Sequence, residues 1–278
     1  MDIFTIEPHE KLRPVIKRFW YAKIKKSKTI YRILADGAPG LIVQHNEGHS
    51  ALFNPTIDSY LPVQFVYGQG TEPHINCFTE DACVFGINFQ PTALKRLFSI
   101  DASEITNSLI ATEHLFSRDF SERILNTHDP KQIVQLLSEQ LYIKMLRSQQ
   151  NTMIGESVKL LIEKTEDLSS KTLSTQFSIS RRQFQRKFKE QVGVSPETYL
   201  RITKFQKSIH LLLRSQEEKL SNIAYALNYA DQSHFCREFK YFSGHTPKHF
   251  WNAMRKITPL SVSNSTQFEP IRVVSIEE

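Results

Sequence analysis

The side chains best suited to recognition chemistry lie in one short segment, Ser180 to Lys189. Phe184 and Phe188, four residues apart, share one helical face and turn it toward a small core. That leaves Arg181, Arg182, Gln185 and Arg186 on or near the outer face. A guanidinium fork pairs in two bonds with a phosphate or with guanine O6 and N7, and a Gln amide does the same with adenine N6 and N7. Surface arginines alone are common; the context that gives these meaning is repetition.

The frame Phe184-Gln185-Arg186-Lys187-Phe188-Lys189 returns 51 residues later as Phe235-Cys236-Arg237-Glu238-Phe239-Lys240. Gly193 and Gly244, Ser195-Pro196 and Thr246-Pro247, and Tyr199 and Phe250 keep the same offset. Ser180 or Asp231 stands where a side-chain oxygen caps the free amides of a helix start. The Gly suits a left-handed C-terminal cap, and Ser-Pro or Thr-Pro opens the next helix. A short helical candidate precedes each copy, Leu173–Phe177 and Ile223–Leu227. Helix, tight turn and basic amphipathic helix make a helix-turn-helix, present twice.

The stretch from about Met153 to Ile257, with two copies of F-x-R-x-F-K…G-x-[ST]-P-x-x-[FY] and the order Ile223-Ala224…Leu227-Asn228-Tyr229…Asp231-Gln232-Ser233-His234-Phe235, resembles the DNA-binding domain of AraC/XylS-type transcription regulators. Asn228 and Ser178 stand where that family usually has Gly in the turns, and Ser174 where it has Ala. The resemblance implies base reading by Arg182, Gln185 and Arg186 in the first unit and by Gln232, Ser233, His234 and Arg237 in the second, with Arg181 beside them. Lys187, Lys189, Lys204, Lys240 and Lys248 are candidates for phosphate contact or plain solvation. Ser195-Pro196 starts a connecting helix to about Leu213, whose Ile202, Phe205, Ile209, Leu212 and Leu213 form an apolar stripe. Nineteen helical residues span roughly 28 Å, comparable with the ~34 Å between successive major-groove faces. The resemblance implies that one rigid chain sets both recognition helices in adjacent grooves of double-stranded promoter DNA.

The charge distribution agrees. Residues 153–257 hold 18 Lys+Arg against 10 Asp+Glu, whereas residues 1–152 hold 16 of each, so the formal net charge of +6 comes from the repeat region. A basic domain on a balanced protein is an electrostatic footprint for a polyanion. Cys77, Cys83 and Cys236 lack metal-ligand spacing and read as reduced thiols, Cys236 as a small buried one. No apolar run approaches the ~20 residues of a membrane span, and Met1-Asp2-Ile3-Phe4 is no basic-then-apolar leader, so a cytoplasmic location is expected.

The expected fold class is α+β: an N-terminal β-barrel or cupin-like domain with appended helices over 1–150, an all-α double helix-turn-helix domain over 151–257, and a tail over 258–278. Short strands are expected at Tyr31–Leu34, Leu41–Gln44, Ala51–Phe53, Val63–Val66, Ile75–Phe78 and Ala82–Phe89. Helices follow at Pro91–Phe98, at Arg118–Leu125, and from Asp129-Pro130 to about Arg147. The apolar surface of that last helix, Ile133, Leu136, Leu137, Leu141, Ile143 and Leu146, serves either to pack on the barrel or to form a homodimer. This half resembles the cupin-like sensor region ahead of some AraC-type domains, through Leu12-Arg13-Pro14-Val15…Phe19-Trp20, Arg32-Ile33-Leu34-Ala35-Asp36-Gly37 and Gly86-Ile87-Asn88-Phe89-Gln90-Pro91-Thr92-Ala93-Leu94. Candidate contacts to a small-molecule effector, chosen as polar or aromatic groups near strand ends, are Trp20, Asp36, His45, Tyr67 and His74. Ile271–Ile276 in the tail is strand-like and either returns to the sensor sheet or stays apart from it.

His45 and His49 are four apart but separated by Asn46 and Gly48, which argue against a helix, and no His-x-His with a carboxylate at cupin spacing follows. No Ser elbow, Gly-rich phosphate loop or Cys/His constellation stands out. No metal, cofactor or catalytic residue is therefore expected. The leading reading is a transcription regulator, an activator by the commoner role of the family and then a partner of RNA polymerase. The alternative is a cupin-type ligand-binding protein or enzyme with an auxiliary basic domain.

Overall fold

Alternation of side chains across a pleat decides the N-terminal half. The computed structural model describes residues 2–26, 30–148, 152–164, 168–214, 219–256 and 273–275. One sheet is ordered β1 (Asp2–Ile6), β2 (Ile16–Ile24), β9 (Ala82–Phe89), β4 (Gly40–His45), β7 (Gln64–Tyr67) and β10 (Leu109–Ala111). The other is ordered β11 (Val273–Ser275), β3 (Ile30–Ile33), β8 (His74–Phe78), β5 (Leu52–Asn54) and β6 (Ser59–Tyr60). Every pairing is antiparallel.

The first sheet is buried on both faces. Phe19, Leu41, Val43, Val66, Phe85 and Ile87 join a core with the helices, while Trp20, Ile42, Phe65, Tyr67 and Val84 turn toward the second sheet. This is why its strands read as near-continuous apolar runs. The six expected strands are all present within a residue or two. β1, β2, β6 and β10 were not expected: a register shift between Ile16 and Arg18 breaks the alternation of β2, and Lys17, Arg18 and Lys23 dilute its apolar signal. The strand-like run in the tail returns to the barrel, where Val273–Ser275 pairs with Tyr31–Ile33 at the edge of the second sheet. The remainder of 257–278 lies outside the described residues.

Helices α1 (Ala93–Phe98), α2 (Arg118–Leu125) and α3 (Pro130–Leu146) cover the first sheet. α3 starts where Asp129 Oδ1 accepts from the Lys131 amide ahead of Pro130. Ile133, Leu137, Leu141 and Met145 are buried with Phe19 and Phe85, so the apolar surface of α3 packs on the barrel, whereas Ile143 and Leu146 remain exposed.

Between residues 152 and 256 the regular elements among the described residues are all helices: α4 (Thr152–Glu163), α5 (Ser170–Gln176), α6 (Arg181–Val192), α7 (Pro196–Arg214), α8 (Leu220–Ala226), α9 (Gln232–Ser243) and α10 (Pro247–Lys256). This region has two small cores. Phe184, Phe188, Leu173 and Tyr199 anchor the first unit, and Phe235, Phe239, Phe242 and Phe250 the second, with α7 contributing to both. Each of these Phe side chains is fully buried, worth about 3–5 kcal/mol against Ala.

The two halves are in contact through the ends of α6 and α9. Thr106 Oγ1 donates to the Gly193 carbonyl at 2.8 Å and Lys95 pairs with Glu190 at 2.7 Å, docking the end of α6. Gly244, at the end of α9, faces Arg32 and Pro73. Leu34 and Ala35 of the barrel enter the second helical core, where Gln206 Nε2 donates to the Ala35 carbonyl at 2.6 Å. Tyr199 is buried against Gly37, and desolvation followed by the Asp36 charge raises its phenol well above the ordinary range.

Candidate nucleic-acid interface

Both helix-turn-helix units are built by the caps their sequences offer. Ser180 Oγ accepts from the Gln183 amide at 3.2 Å, and Asp231 Oδ1 from the His234 amide at 2.7 Å. The helices end at Gly193 and Gly244, with φ of 95° and 78°. Ser195 Oγ and Thr246 Oγ1 cap the following helices at 3.1 Å and 3.4 Å. In the turns Ser178 and Asn228 adopt φ of 53° and 52°, the left-handed conformation for which Gly is the unstrained residue.

With Phe184 and Phe188 inward, Arg181, Arg182 and Arg186 are exposed and Gln185 is half-buried. Arg181 Nε donates to Ser170 Oγ at 2.8 Å and Gln185 Nε2 to the same atom at 3.2 Å. Both also reach Glu197, at 3.7 Å and 3.4 Å. Burial works against the Glu197 carboxylate, but hydrogen bonds from Ser170, its own backbone, Gln185 and Ser195 outweigh it and hold its pKa below the usual carboxylate value. Arg181 and Gln185 thus brace α6 against α5 and α7. Arg182 and Arg186 extend from the braced helix with no ion pair among the described residues.

On α9, Gln232, Ser233 and Arg237 are exposed. The His234 ring is half-buried and meets Tyr229 edge-on at 5.5 Å. Arg237 occupies the position of Arg186 in the repeat. Cys236, in the Gln185 position, is half-buried, and burial pushes its thiol pKa up, which keeps it protonated.

Two polar links were not read from the sequence. Arg201 of α7 meets Glu238 of α9 in a fork, Nε to Oε2 at 2.6 Å and Nη2 to Oε1 at 2.9 Å, with its guanidinium 5.3 Å from the Tyr241 and Phe242 ring centres. The available signal was the charge reversal in the repeat, Glu238 at the Lys187 position. Lys204, a candidate for phosphate contact, donates to the Asn228 carbonyl at 3.1 Å and lies over Tyr229, so it secures the second turn. Lys189, Lys240 and Lys248 are exposed and Lys187 is half-buried.

The candidate effector contacts divide. Trp20, Tyr67 and His74 line a cavity of about 400 Å³ between the two sheets. Asp36 lies outside it, at the junction with Tyr199. His45 also lies outside: its Nε2 bonds the Ile124 carbonyl at 3.0 Å and its ring meets His128. No helix among the described residues is long and apolar enough to cross a membrane.

Two braced helix-turn-helix units on one connecting helix are an arrangement that can present two helices to a nucleic-acid groove. Residues 173–253 match the family described as a helix-turn-helix domain, and residues 4–111 match a family described as a domain of unknown function. The HTH-type transcriptional activator RhaS of Escherichia coli O139:H28 is 35% identical over 75 residues, and that of Klebsiella pneumoniae 32% over the same length. Over that segment the C-terminal domain is similar to the helix-turn-helix domains of these activators. The matched segment is 27% of this chain and spans about a quarter, 27%, of those relatives. ToxT from Vibrio cholerae superposes at a TM-score of 0.47 with 13% identity, covering 91% of this chain and 98% of that one, too distant to bear on fold or function here.

Proposed function

We propose that this protein is a sequence-specific regulator of transcription that binds double-stranded promoter DNA through α6 and α9. The observation that carries the reading is the pair Arg186 and Arg237, exposed at equivalent positions of two recognition helices whose opposite ends are docked on the barrel. Arg182, Gln232, Ser233 and His234 complete the base-reading set. Arg181 and Gln185 act partly through the brace on Glu197, and Lys187, Lys189, Lys240 and Lys248 supply phosphate contacts. Activation, with RNA polymerase as partner, is the favoured sign, since the relatives matched over the DNA-binding domain are named activators. Exposed Ile143 and Leu146 on α3 offer the surface for a homodimer. Action on promoter DNA places the protein in the cytoplasm. The N-terminal domain acts as the sensor, through a small-molecule effector.

The test is selection of bound duplexes from a random library by the full-length protein. A motif of two half-elements about one helical turn apart is expected. Recovery of no motif, together with no binding to random duplex at low salt, defeats the reading.

A further inference from the structure

Resting on the regulator reading above, we propose that the cavity between the two sheets binds an uncharged, mainly apolar small molecule that donates one hydrogen bond to Asn76, and that the 68–74 loop carries its occupancy to both recognition helices.

The lining sets the ligand class. At about 400 Å³ the cavity lies within the size range of small-molecule sites, about 300–1,000 Å³. Its walls are apolar and aromatic, with Ile24, Ile42 and Phe65 from one sheet and Tyr31, Leu52 and Phe78 from the other. No Lys or Arg is among the described lining residues, and Glu72, also in the lining, is exposed. An anionic ligand would lose its hydration there with no countercharge among the described lining residues but the half-buried His74 imidazole, which already has an interaction partner, and it would meet the Glu72 carboxylate. The apolar side chain of Ile57 also belongs to the lining and is 62% exposed.

One polar group inside is left unanswered. Asn76 is 9% exposed and lines the cavity, yet its Oδ1 has no hydrogen-bond partner among the described residues. Buried acceptors are ordinarily paired, and an N–H or O–H of the ligand would supply the partner. Asn107, by contrast, is engaged by Thr71 through two bonds of 2.7 Å. The Trp20 indole N–H is likewise engaged by Asn88 Oδ1 at 3.1 Å, which leaves its ring to face the cavity.

The same wall faces the helix caps. Gly68, Gly70, Glu72 and His74 line the cavity, while between them Gln69 lies against Gly193 and Pro73 against Gly244. β3 repeats the pattern: Tyr31 and Ile33 face the cavity, and Arg32 meets Gly244. Gln69 is 1% exposed with neither amide atom hydrogen-bonded among the described residues, so this junction holds a polar group that the present packing leaves unsatisfied. A ligand on one face of the loop therefore acts on a segment whose other face seats both units.

The test uses a matched pair of probes on the full-length protein. N-phenyl-1-naphthylamine is neutral with one N–H, and 1-anilinonaphthalene-8-sulfonate has the same rings with a sulfonate. Titration, read by probe emission and energy transfer from Trp20, should give one site for the neutral probe, at least about tenfold tighter than for the anion. Leu52→Trp and Leu109→Trp fill the cavity from opposite sheets and should each weaken it by about tenfold or more. Asn76→Leu should weaken it about fivefold. Amide exchange near Gly193 and Gly244 should slow when the neutral probe binds. Equal affinity for the two probes, or unchanged binding in a filling variant that keeps the wild-type melting temperature, overturns the site. Binding without any change in exchange at the two caps overturns the transmission. A selected duplex motif without a neutral-probe site defeats this inference alone; a probe site with no duplex binding at all defeats the regulator reading and leaves the site standing.

Discussion

Replacing Gly193 by Ala tests whether the first recognition helix is seated on the barrel. Gly193 has φ of +95°, and a Cβ there would lie 2.9 Å from Thr106 Oγ1, 3.0 Å from the Ala102 carbonyl and 3.3 Å from Gln69 Cβ. Two effects add. The left-handed backbone costs a non-glycine residue about 1–2 kcal/mol, partly offset by the about 0.4–1 kcal/mol that Ala gains from a less free unfolded chain. Crowding against a carbonyl and a packed side chain adds about 1–3 kcal/mol. Gly48 isolates the first effect, because its φ is +83° and nothing lies within 4 Å of its Cβ. Gly48→Ala should therefore cost about 1 kcal/mol and Gly193→Ala about 2–4 kcal/mol. Gly244→Ala should fall between them, at about 1–2 kcal/mol, since its close neighbour at 2.7 Å is Arg32 Nη1, the movable end of a long side chain. Urea unfolding of the three variants followed by tryptophan emission measures the order. Equal losses for Gly193→Ala and Gly48→Ala would mean that the α6 cap has room and is not docked, and the seating of the recognition helices would have to be abandoned.

Arg186→Ala and Arg237→Ala should each cost about 1–3 kcal/mol on a selected duplex and relax preference at one base pair, measured by anisotropy on single-base variants; equal loss on random duplex reassigns the arginine to the backbone. Ser178→Gly should stabilise the protein by a few tenths to about 1 kcal/mol by relieving the left-handed turn, and a lower melting temperature would count against that geometry. His45 has its pKa lowered, chiefly by burial and further by His128, against hydrogen bonds to the Ile124 and Thr127 backbone that act the other way. Its folded form thus binds fewer protons than the unfolded chain, so stability is intact above the unfolded value near about 6.5 and falls as pH drops below it. His45→Gln should flatten that loss between about pH 6.5 and 5 in melting curves, and a wild-type acid slope in the variant refutes the assignment.

The sequence alone determined the repeated frame of the C-terminal domain, because its signals are local, whereas the helices ahead of each frame begin three residues before the expected starts at Leu173 and Ile223, and α4 was not read. A cap, two Phe residues four apart, a terminal Gly and a Ser-Pro or Thr-Pro act within one or two helical turns, and each recurs after 51 residues. The inward strands of the barrel were legible for the same reason: alternation is a property of neighbours. β2 was not, since a register shift breaks its period, and neither was the partner strand of the tail, since an edge strand pairs with whatever the fold brings alongside. The candidate contacts show the same division. Arg186 and Arg237 were found by their place in a repeat, whereas Arg201 with Glu238, Gln206 with Ala35, and Thr106 with Gly193 join residues 37, 171 and 87 positions apart. Trp20, Tyr67 and His74 face one cavity while Asp36 and His45 face elsewhere, although all five were chosen on one criterion, and Trp20 lies in the middle of β2 rather than near a strand end. Which face of a strand meets a cavity, and which helix end meets a loop, depend on how whole sheets and helices pack. That information lies in tertiary contacts between distant segments.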